Sequence, residues 1–352
     1  MSTGIEALAQ GAPLDWAAVG GYLARHGMRL DVSPPPRQFA GGLANRNYLI
    51  HVDGGAVVLR RPPDGDLPAG SHDMAREHRI LSRLCTALAF VPRGILLCED
   101  RGVIGVPFQI IEYRAGRTVR ATLPDDLADR PGVGERLTEV VLGTLAALHA
   151  VEPASVGLDD LGKPAGFLGR AVAGWRRRGQ AVAYEACATL LAEVGAWLER
   201  DQVPDGPPAL LHNDFKLDNM ILSPADLSAV AVVDWDQGTR GDPLFDLGTL
   251  MSYWAQPDDP PAMRDLGQMP TIAPGFPDRS AAVARYAALT GRDVSAFRFH
   301  RVLAMYKTSI IFLQLGHRFR TGETDDARYA DLSARGVGLL EFTHEVARGR
   351  AF

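Results

Sequence analysis

The densest group of side chains able to perform chemistry lies in residues 210–222, LLHNDFKLDNMIL. Its polar members are His212, Asp214, Lys216, Asp218 and Asn219. Apolar residues flank them on both sides and favour burial, whereas a buried carboxylate without a partner is costly. The pattern predicts a short loop held rigidly by Leu210–Leu211 and Met220–Leu222, with its charged groups directed at a ligand.

Further motifs place this loop in a larger pattern. Asp214 and Asn219 fit H-x-D-x-x-x-x-N, Asp234 ends the apolar run VVD, and DPLFDL follows at 242–247. This order resembles the catalytic and metal-binding segments of the protein-kinase-like fold. The variant HNDFKLDN, followed by VVDWDQGTRGDPLFDLG, resembles the aminoglycoside phosphotransferase-type family of small-molecule kinases. Within that family it is most similar to the branch found beside, or fused to, acyl-CoA dehydrogenases.

The resemblance implies transfer of the γ-phosphoryl group of ATP, or of GTP, to a hydroxyl group. Such a transfer depends on positioning and charge neutralisation more than on covalent help. Asp214 is then expected to accept the proton of the acceptor hydroxyl. Asn219 and Asp234 are expected to supply oxygen ligands for Mg²⁺, which binds few protein carboxylates together with phosphate oxygens.

Three neighbouring residues are expected to support these groups. By the resemblance, His212 braces the loop through hydrogen bonds, and Asp246 does the same from the following helix. Taken alone, His212 is explained equally well as a structural residue. Lys216 lies inside the loop, where it either contacts the transferred phosphate or is an ordinary solvated lysine.

The N-terminal third carries the expected nucleotide-binding residues. Arg60, in VVLRRPP, takes the place of the phosphate-binding lysine of kinases, and Glu77, in REHRIL, falls where a helix glutamate pairs with that cation. Arginine also occurs here in the acyl-CoA-dehydrogenase-associated branch, and it holds phosphate through a planar fork. The loop AGGLANRNY (40–48) is expected to offer main-chain N–H groups of its glycines and Asn45 to phosphates. The alternatives are a plain hairpin loop and, for Glu77, a solvated helix face.

The segment QIIEYRAG (109–116) resembles the hinge of this fold, where main-chain groups of Glu112, Tyr113 and Arg114 would bind adenine. The hinge also marks the expected boundary between two lobes. Residues 1–113 form the nucleotide-binding lobe, with an N-terminal helix, about five strands and one further helix. Residues 114–352 form a helical lobe with the catalytic loop, the metal site and the acceptor site. The predicted fold class is α+β, a two-lobed protein-kinase-like fold with a small antiparallel sheet.

Hydrophobic periodicity predicts the elements that position these residues. Strands are expected at 47–52, 56–60, 95–100, 106–113 and 229–235. Helices are expected at 15–27, 72–88, 135–151, 166–180, 184–202, 245–254, 279–290, 297–320 and 326–348. Asp53-Gly54-Gly55 and Arg101-Gly102 are expected to be turns, and the Pro-rich stretch 256–277 a surface insertion.

The distribution of charged residues indicates the chemical class of the acceptor. Arg170, Arg177 and Arg178 are spaced so that they share one helical face, and residues 256–352 show no acidic excess. An anionic acceptor such as a hydroxyacyl-CoA suits this better than a polycationic aminoglycoside. The alternative for the three arginines is a solvated basic face, and the alternative acceptors are choline, homoserine, a sugar or an aminoglycoside.

Composition narrows the remaining classes. The 352 residues carry 37 Lys+Arg and 42 Asp+Glu, a net charge of −5, so binding of nucleic acid is not expected. Three scattered cysteines fit a reducing cytoplasm better than a disulfide framework. No signal peptide or membrane span is evident, so a cytoplasmic enzyme is expected. The resemblance to the acyl-CoA-dehydrogenase-associated branch implies a functional association with enzymes of acyl-CoA metabolism.

Two other readings stay open. A catalytically inactive nucleotide-binding module is favoured only by Arg60 and the irregular loop at 40–48. A metal hydrolase built on His212, Asp214 and Asp234 would leave the hinge, Arg60 and Glu77 unexplained.

Overall fold

The computed structural model describes residues 8–9, 14–39, 45–63 and 72–352. Within that part, the N-terminal region forms one antiparallel sheet of seven strands. They are β1 (Leu8–Ala9), β2 (Leu30–Asp31), β3 (Arg37–Phe39), β4 (Arg46–Val52), β5 (Gly55–Arg61), β6 (Gly94–Cys98) and β7 (Phe108–Glu112). The order is β1-β3-β4-β5-β7-β6, and β2 also pairs with β4. The predicted strands appear as β4 to β7, whereas β1 to β3 are too short to leave a clear period of two.

The β4–β5 hairpin sets the register of the sheet. Asp53 and Gly54 form its turn with φ values of 51° and 78°, which a two-residue turn of type I′ requires. The side chains of β4 that enter the core are Tyr48, Ile50 and Val52. The same register sets Arg60 opposite Asn47, so a charged side chain of β5 lies beside a polar one of β4.

Three helices accompany the sheet: α1 (Trp16–Arg25), α2 (Met74–Leu84) and α3 (Arg101–Ile104). Each begins after an aspartate whose carboxylate accepts a hydrogen bond from a main-chain N–H of the first turn. Such caps stabilise a helix by about 1 kcal/mol. The helix α3 replaces the simple turn expected at Arg101-Gly102, because Asp100 caps it and Gly105, at φ 84°, ends it.

Helices dominate the rest of the chain. They are α4 (Asp125–Ala128), α5 (Val133–His149), α6 (Phe167–Val182), α7 (Glu185–Arg200), α8 (Pro243–Tyr253), α9 (Pro261–Arg264), α10 (Arg279–Thr290), α11 (Phe297–Arg320) and α12 (Leu332–Ala347). Every residue of α11 from Phe299 to Ile310 is buried, so this helix forms the centre of the helical core. The helix expected from 326 begins at Leu332, after a separate 3-10 turn at Ala327–Tyr329.

Four short strands flank the polar loop: β8 (Ala209–Leu211), β9 (Met220–Leu222), β10 (Ala229–Val232) and β11 (Thr239–Gly241). β8 pairs with β11, and β9 pairs with β10, both antiparallel. The apolar flanks that were expected to hold the loop rigidly are thus strands, and both are anchored in a sheet.

The prediction that residues 256–277 form a surface insertion is wrong. Met263 and Leu266 lie in the helical core, and Arg279 forms a buried bidentate ion pair with Asp259 at 2.5 and 2.6 Å. Proline removes regular periodicity from this stretch without removing its apolar side chains. The segment therefore packs inward although its sequence lacks a helical or strand pattern.

The chain divides into two compact units. The sheet unit comprises Met1–Thr118, Ala154–Asp159 and Asn219–Gly238, and the helical unit comprises Val119–Pro153, Asp160–Asp218 and Thr239–Phe352. The β9–β10 hairpin thus belongs to the sheet unit although it follows the polar loop in sequence. The expected single boundary after residue 113 places this hairpin in the second lobe. In the described part of the chain, no helix has the length and apolar character needed to cross a bilayer.

Candidate functional site

The two expected metal ligands lie at the same end of the β9–β10 hairpin. The register pairs Met220 with Val232, and the carbonyl of Asn219 accepts a hydrogen bond from the N–H of Val233 at 2.9 Å. Asn219 therefore immediately precedes one strand, and Asp234 follows the other. Asp234 has a φ of 70°, in the left-handed region that non-glycine residues occupy at an energetic cost, often at functional sites.

The donor set of this hairpin end fits Mg²⁺ brought by a nucleotide. One carboxylate and one amide supply hard oxygen atoms, and Mg²⁺ completes its coordination with water and phosphate oxygens. Among the described residues there is no cluster of three or more His, Cys, Asp or Glu that could hold a metal by itself. Metal binding by Asn219 and Asp234 stays a prediction.

The guanidinium of Arg60 lies between two carboxylates. Its Nε donates to Glu77 Oε2 at 2.8 Å, its Nη2 donates to Asp234 Oδ1, and its Nη1 donates to Asn47 Oδ1 at 3.3 Å. Burial lowers the pKa of Arg60, but Glu77 and Asp234 raise it by more, so the guanidinium stays charged. The structure thus brings the expected Arg60–Glu77 pair together and adds Asp234 to it.

Glu77 links this cluster to the main chain. Glu77 is 1% exposed, and its carboxylate also accepts hydrogen bonds from Gln109 Nε2 at 2.7 Å and from the N–H of Trp235 at 3.1 Å. Burial of a carboxylate requires donors of this kind. Glu77 is therefore not on a solvated helix face, and it fixes the main chain directly after Asp234. Gln109 was missed from the sequence, although a polar residue inside an apolar strand was a usable indication.

The expected phosphate-covering loop falls largely outside the described residues, because 40–44 are not among them. Asn45 is described and buried. Its Nδ2 lies 3.4 Å from Asp236 Oδ2, and its Oδ1 lies 2.8 Å from His72 Nδ1. The side chain is thus held within the sheet unit, and an interaction of the Asn45 main-chain N–H with phosphate stays a prediction.

The hinge residues are tied to neighbouring loops. The N–H of Glu112 donates to the carbonyl of Arg93 at 2.9 Å, and its carboxylate accepts from Arg114 Nη2 at 2.9 Å. Arg114 also donates to the carbonyl of Val230 at 3.0 Å. The N–H of Glu112 is thus already used, whereas its carbonyl is a separate group, and the contacts of Glu112, Tyr113 and Arg114 with adenine stay a prediction.

The main chain of the catalytic loop is fixed by side chains of the helical unit. Asp246 accepts hydrogen bonds from the N–H groups of His212 and Asn213, both at 2.7 Å. His212 Nδ1 lies 3.2 Å from the N–H of Asp214. The bracing expected of His212 and Asp246 is seen in these hydrogen bonds, and Asp246 in turn lies 3.3 Å from His149.

Both carboxylate oxygens of Asp214 have partners. Lys216 Nζ donates to Oδ2 at 3.0 Å, and the Tyr253 hydroxyl lies 3.3 Å from Oδ1. Burial raises the pKa of Asp214, but Lys216 and Lys307 lower it by more, so the net pKa lies below the ordinary value. Asp214 is therefore ionised at neutral pH and able to accept a hydrogen bond from a hydroxyl. Lys216 is not a solvated lysine, since it is paired with Asp214.

Two members of this group were missed from the sequence. Tyr253 ends α8, and its ring lies 4.9 Å from Lys216 Nζ. Lys307 lies in the middle of α11 and donates from Nζ to the carbonyl of Asn213. In the sequence, Lys307 was indicated only by its position as a single lysine in the apolar run VLAMYKTSIIFL.

The three arginines of α6 differ in what their guanidinium groups contact. Arg170 donates to the carbonyls of Lys163 and Ala165, which closes the turn before the helix, so its guanidinium has a structural contact. Arg177 and Arg178 are exposed, and the guanidinium carbon of Arg178 lies 4.6 Å from the ring centroid of Trp175. The expected acceptor-binding role of Arg170, Arg177 and Arg178 stays a prediction.

Comparison with known proteins assigns the chain to a family. Residues 36–282 match the model of the phosphotransferase enzyme family. The chain is 34% identical over 237 residues to acyl-CoA dehydrogenase family member 11 of Gallus gallus, an alignment that covers 66% of this chain and 29% of that protein. It spans less than half the length of such relatives, since the share is 42% for the Pongo abelii protein of the same name, at 29% identity and 91% of this chain.

Solved structures show the same fold. The structure of a putative aminoglycoside phosphotransferase from Ralstonia eutropha superposes with a TM-score of 0.78 at 24% identity, covering 96% of this chain and 99% of its own. These findings confirm the predicted α+β, kinase-like fold. Because the family model matches more than half of the sequence, this chain belongs to the phosphotransferase enzyme family.

Proposed function

We propose that this chain transfers the γ-phosphoryl group of ATP, or of GTP, to a hydroxyl group of a small molecule in the presence of Mg²⁺. The observation that carries the proposal is the connected group of Arg60, Glu77, Asn219 and Asp234 in the sheet unit. It offers two oxygen donors for a metal and a permanent cation for phosphate, which phosphoryl transfer requires. A thermostable aminoglycoside phosphotransferase mutant solved with AMP-PNP and hygromycin B, with a TM-score of 0.60 at 17% identity over 94% of this chain and 99% of its own, supports such ligands.

The sheet unit would hold the nucleotide. Asn219 and Asp234 would bind Mg²⁺, which neutralises charge on phosphate oxygens when it is bound. Arg60 would orient the phosphates through its planar guanidinium, and Glu77 keeps that guanidinium in place. Adenine would bind to the main chain after β7.

The helical unit would act on the acceptor. Asp214 orients the acceptor hydroxyl and takes its proton as the bond to phosphorus forms. Its low pKa makes it a modest base, which suits a loose transition state in which the hydroxyl proton is lost late. Lys216, held by Asp214, would neutralise charge on the phosphoryl group.

We propose an anionic hydroxyl compound, such as a hydroxyacyl-CoA thioester, as the acceptor. The exposed guanidinium groups of Arg177 and Arg178 suit phosphate groups of the acceptor. The acyl-CoA dehydrogenase names of the relatives support an association with enzymes of acyl-CoA metabolism. That association is part of the proposal, because the chain aligns with only part of those proteins.

The test is a screen for ADP release from MgATP with hydroxyacyl-CoA thioesters, choline, homoserine, sugars and aminoglycosides. We expect turnover with a hydroxyacyl-CoA and none with excess EDTA or in Asp214→Asn. Binding of MgATP without turnover on any acceptor would favour an inactive nucleotide-binding module. Turnover with an aminoglycoside alone would contradict the acceptor class but not the phosphotransfer.

A further inference from the structure

Lys307 is a cation in an unusual place. It lies in the buried middle of α11, and its side chain is 2% exposed. Lysine is almost never fully buried unless it is paired, because removing an ammonium group from water is costly. The described contacts of Lys307 therefore have to account for its burial.

The ammonium group of Lys307 holds the main chain beside Asp214. It donates to the carbonyl of Asn213, and the ring centroid of Phe245 lies 5.4 Å from Nζ. Asn213 has a φ of 65°, a conformation that persists only where the surroundings impose it. Asp246 of α8 holds the N–H of this residue and Lys307 of α11 holds its carbonyl. The strained residue before Asp214 is thus clamped from two helices.

The charges around Lys307 belong to the same group. The carboxylates of Asp214 and Asp246 favour its charged form, and the cations Lys216 and Arg178 oppose it. Burial lowers the pKa of Lys307 and is the largest effect. The influence is mutual, because Lys307, with Lys216 and His212, stabilises the ionised form of Asp214.

A second buried cation on the same helix provides a contrast. Arg301 is 1% exposed, and in the described part of the chain its guanidinium nitrogens have no hydrogen-bond partner. Its guanidinium carbon lies 5.7 Å and 5.3 Å from the ring centroids of Phe342 and Phe352. The charges that act on it come from Arg279 and Asp259, not from the catalytic loop. Burial on α11 therefore does not by itself couple a cation to Asp214.

We propose that Lys307 is a positioning residue for Asp214, which holds the Asn213 carbonyl and places a buried positive charge beside the catalytic carboxylate. This inference rests on the proposed role of Asp214 in the phosphotransfer. It adds a residue 93 positions away from Asp214 to the groups that determine the geometry and ionisation of that carboxylate.

The test is a ¹³C NMR titration of aspartate side-chain carboxyl groups in the full-length protein, with Asp214 assigned by its loss in Asp214→Asn. In Lys307→Met we expect the pKa of Asp214 to rise by about one pH unit, because an opposite charge at close range is removed. Lys307→Arg should keep most of the wild-type value, and Arg301→Met should leave it unchanged. Hydrogen exchange of peptides covering 210–222 should become faster in Lys307→Met only.

An unchanged Asp214 titration and unchanged exchange in a folded Lys307→Met protein would overturn the inference. If Lys307→Met does not fold, the reciprocal measurement replaces it, since a coupling acts equally in both directions. The pKa of Lys307, followed in protein labelled with ¹³C at lysine Cε, should fall in Asp214→Asn, and an unchanged value would contradict the proposal. These titrations need no acceptor, so their failure is distinguishable from a failure of the proposed phosphotransfer, which the ADP-release screen tests separately.

Discussion

The two units of the molecule arrange buried charge in opposite ways. In the sheet unit a single cation, Arg60, is shared by two carboxylates, those of Glu77 and Asp234. That group has an excess of negative charge. A divalent cation at Asp234 would compensate the excess, so the arrangement is suited to a metal–nucleotide complex.

In the helical unit the carboxylate of Asp214 is held among cations, and the carboxylate of Asp246 braces the same loop. Lys216 contacts it directly at 3.0 Å, and Lys307 holds the main chain next to it. The charges of the two lysines are offset by those of Asp214 and Asp246, and the lysines favour the ionised form of Asp214. We propose a division of work in which the sheet unit binds metal and nucleotide and the helical unit acts on the acceptor hydroxyl.

The largest expected effect is on the catalytic rate, and it distinguishes the proposed role of the helical unit from that of the sheet unit. Asp214→Asn should lower kcat by about 10²–10⁴-fold, because a base and an orienting group are lost. Steady-state assays measure this, and calorimetric titration should give a MgATP affinity close to that of the wild type. Near wild-type kcat in this variant would remove Asp214 from the reaction.

Asp234→Ala should produce the complementary result. Loss of a metal ligand is expected to weaken MgATP binding by about 100-fold, and the loss should be much smaller for ATP measured in EDTA. Isothermal titration calorimetry with and without Mg²⁺ distinguishes the two cases. Equal affinities for the wild type and the variant in Mg²⁺ would mean that the metal is held elsewhere.

A smaller effect concerns the acceptor. Replacing Arg177 and Arg178 together by alanine should raise KM for an anionic acceptor by about 10–100-fold, since the two exposed charge-assisted contacts together contribute about 1.4–2.8 kcal/mol. The effect should shrink as salt is added, and KM for ATP should move little. Replacing the exposed Arg348 and Arg350 is the matched control, and equal behaviour of the two double variants would identify the α6 arginines as a solvated surface.

The smallest effect tests a structural carboxylate outside both groups. Asp242 caps α8, lies 3.1 Å from His300 Nε2 and accepts from the N–H of Gly206 at 2.8 Å. Burial raises its pKa, but these partners, His300 first, lower it by more. Its ionised form therefore stabilises the fold above the ordinary pKa of an aspartate, and that contribution is lost as pH falls through the lowered pKa.

Asp242→Asn keeps a capping side chain and removes the charge. We expect it to lower the free energy of unfolding by about 1 kcal/mol at pH 7. The difference from the wild type should shrink as the pH is lowered below about 4, and urea unfolding at several pH values measures it. A difference that stays constant with pH would show that the charge of Asp242 is not involved.

Residues close together in sequence were the most predictable part of the site. The loop around Asp214 carries local spacing, and the strand predicted at 229–235 is seen at Ala229–Val232. Arg60 and Glu77 were predictable from the resemblance to the kinase-like fold, in which a cation and a helix glutamate are expected at these places. Their contact is seen at 2.8 Å.

Contacts between distant segments could not be predicted in the same way. Lys307 reaches Asn213 across 94 positions, and a lone lysine in an apolar helix does not reveal its partner. The hydrogen bonds from Arg170 to carbonyls of the preceding turn could not be predicted either, because helical spacing shows only which side chains share a face. The Pro-rich stretch 256–277 packs into the core without any period that a sequence could show.

The most direct test of the central claim is ³¹P NMR of the wild-type protein with MgATP and a hydroxyacyl-CoA. The account predicts loss of the γ-phosphate resonance, formation of ADP and a new phosphomonoester resonance on the acceptor, all absent in EDTA and in Asp214→Asn. Conversion of ATP to ADP and inorganic phosphate without an ester on any acceptor of the screen would contradict the account.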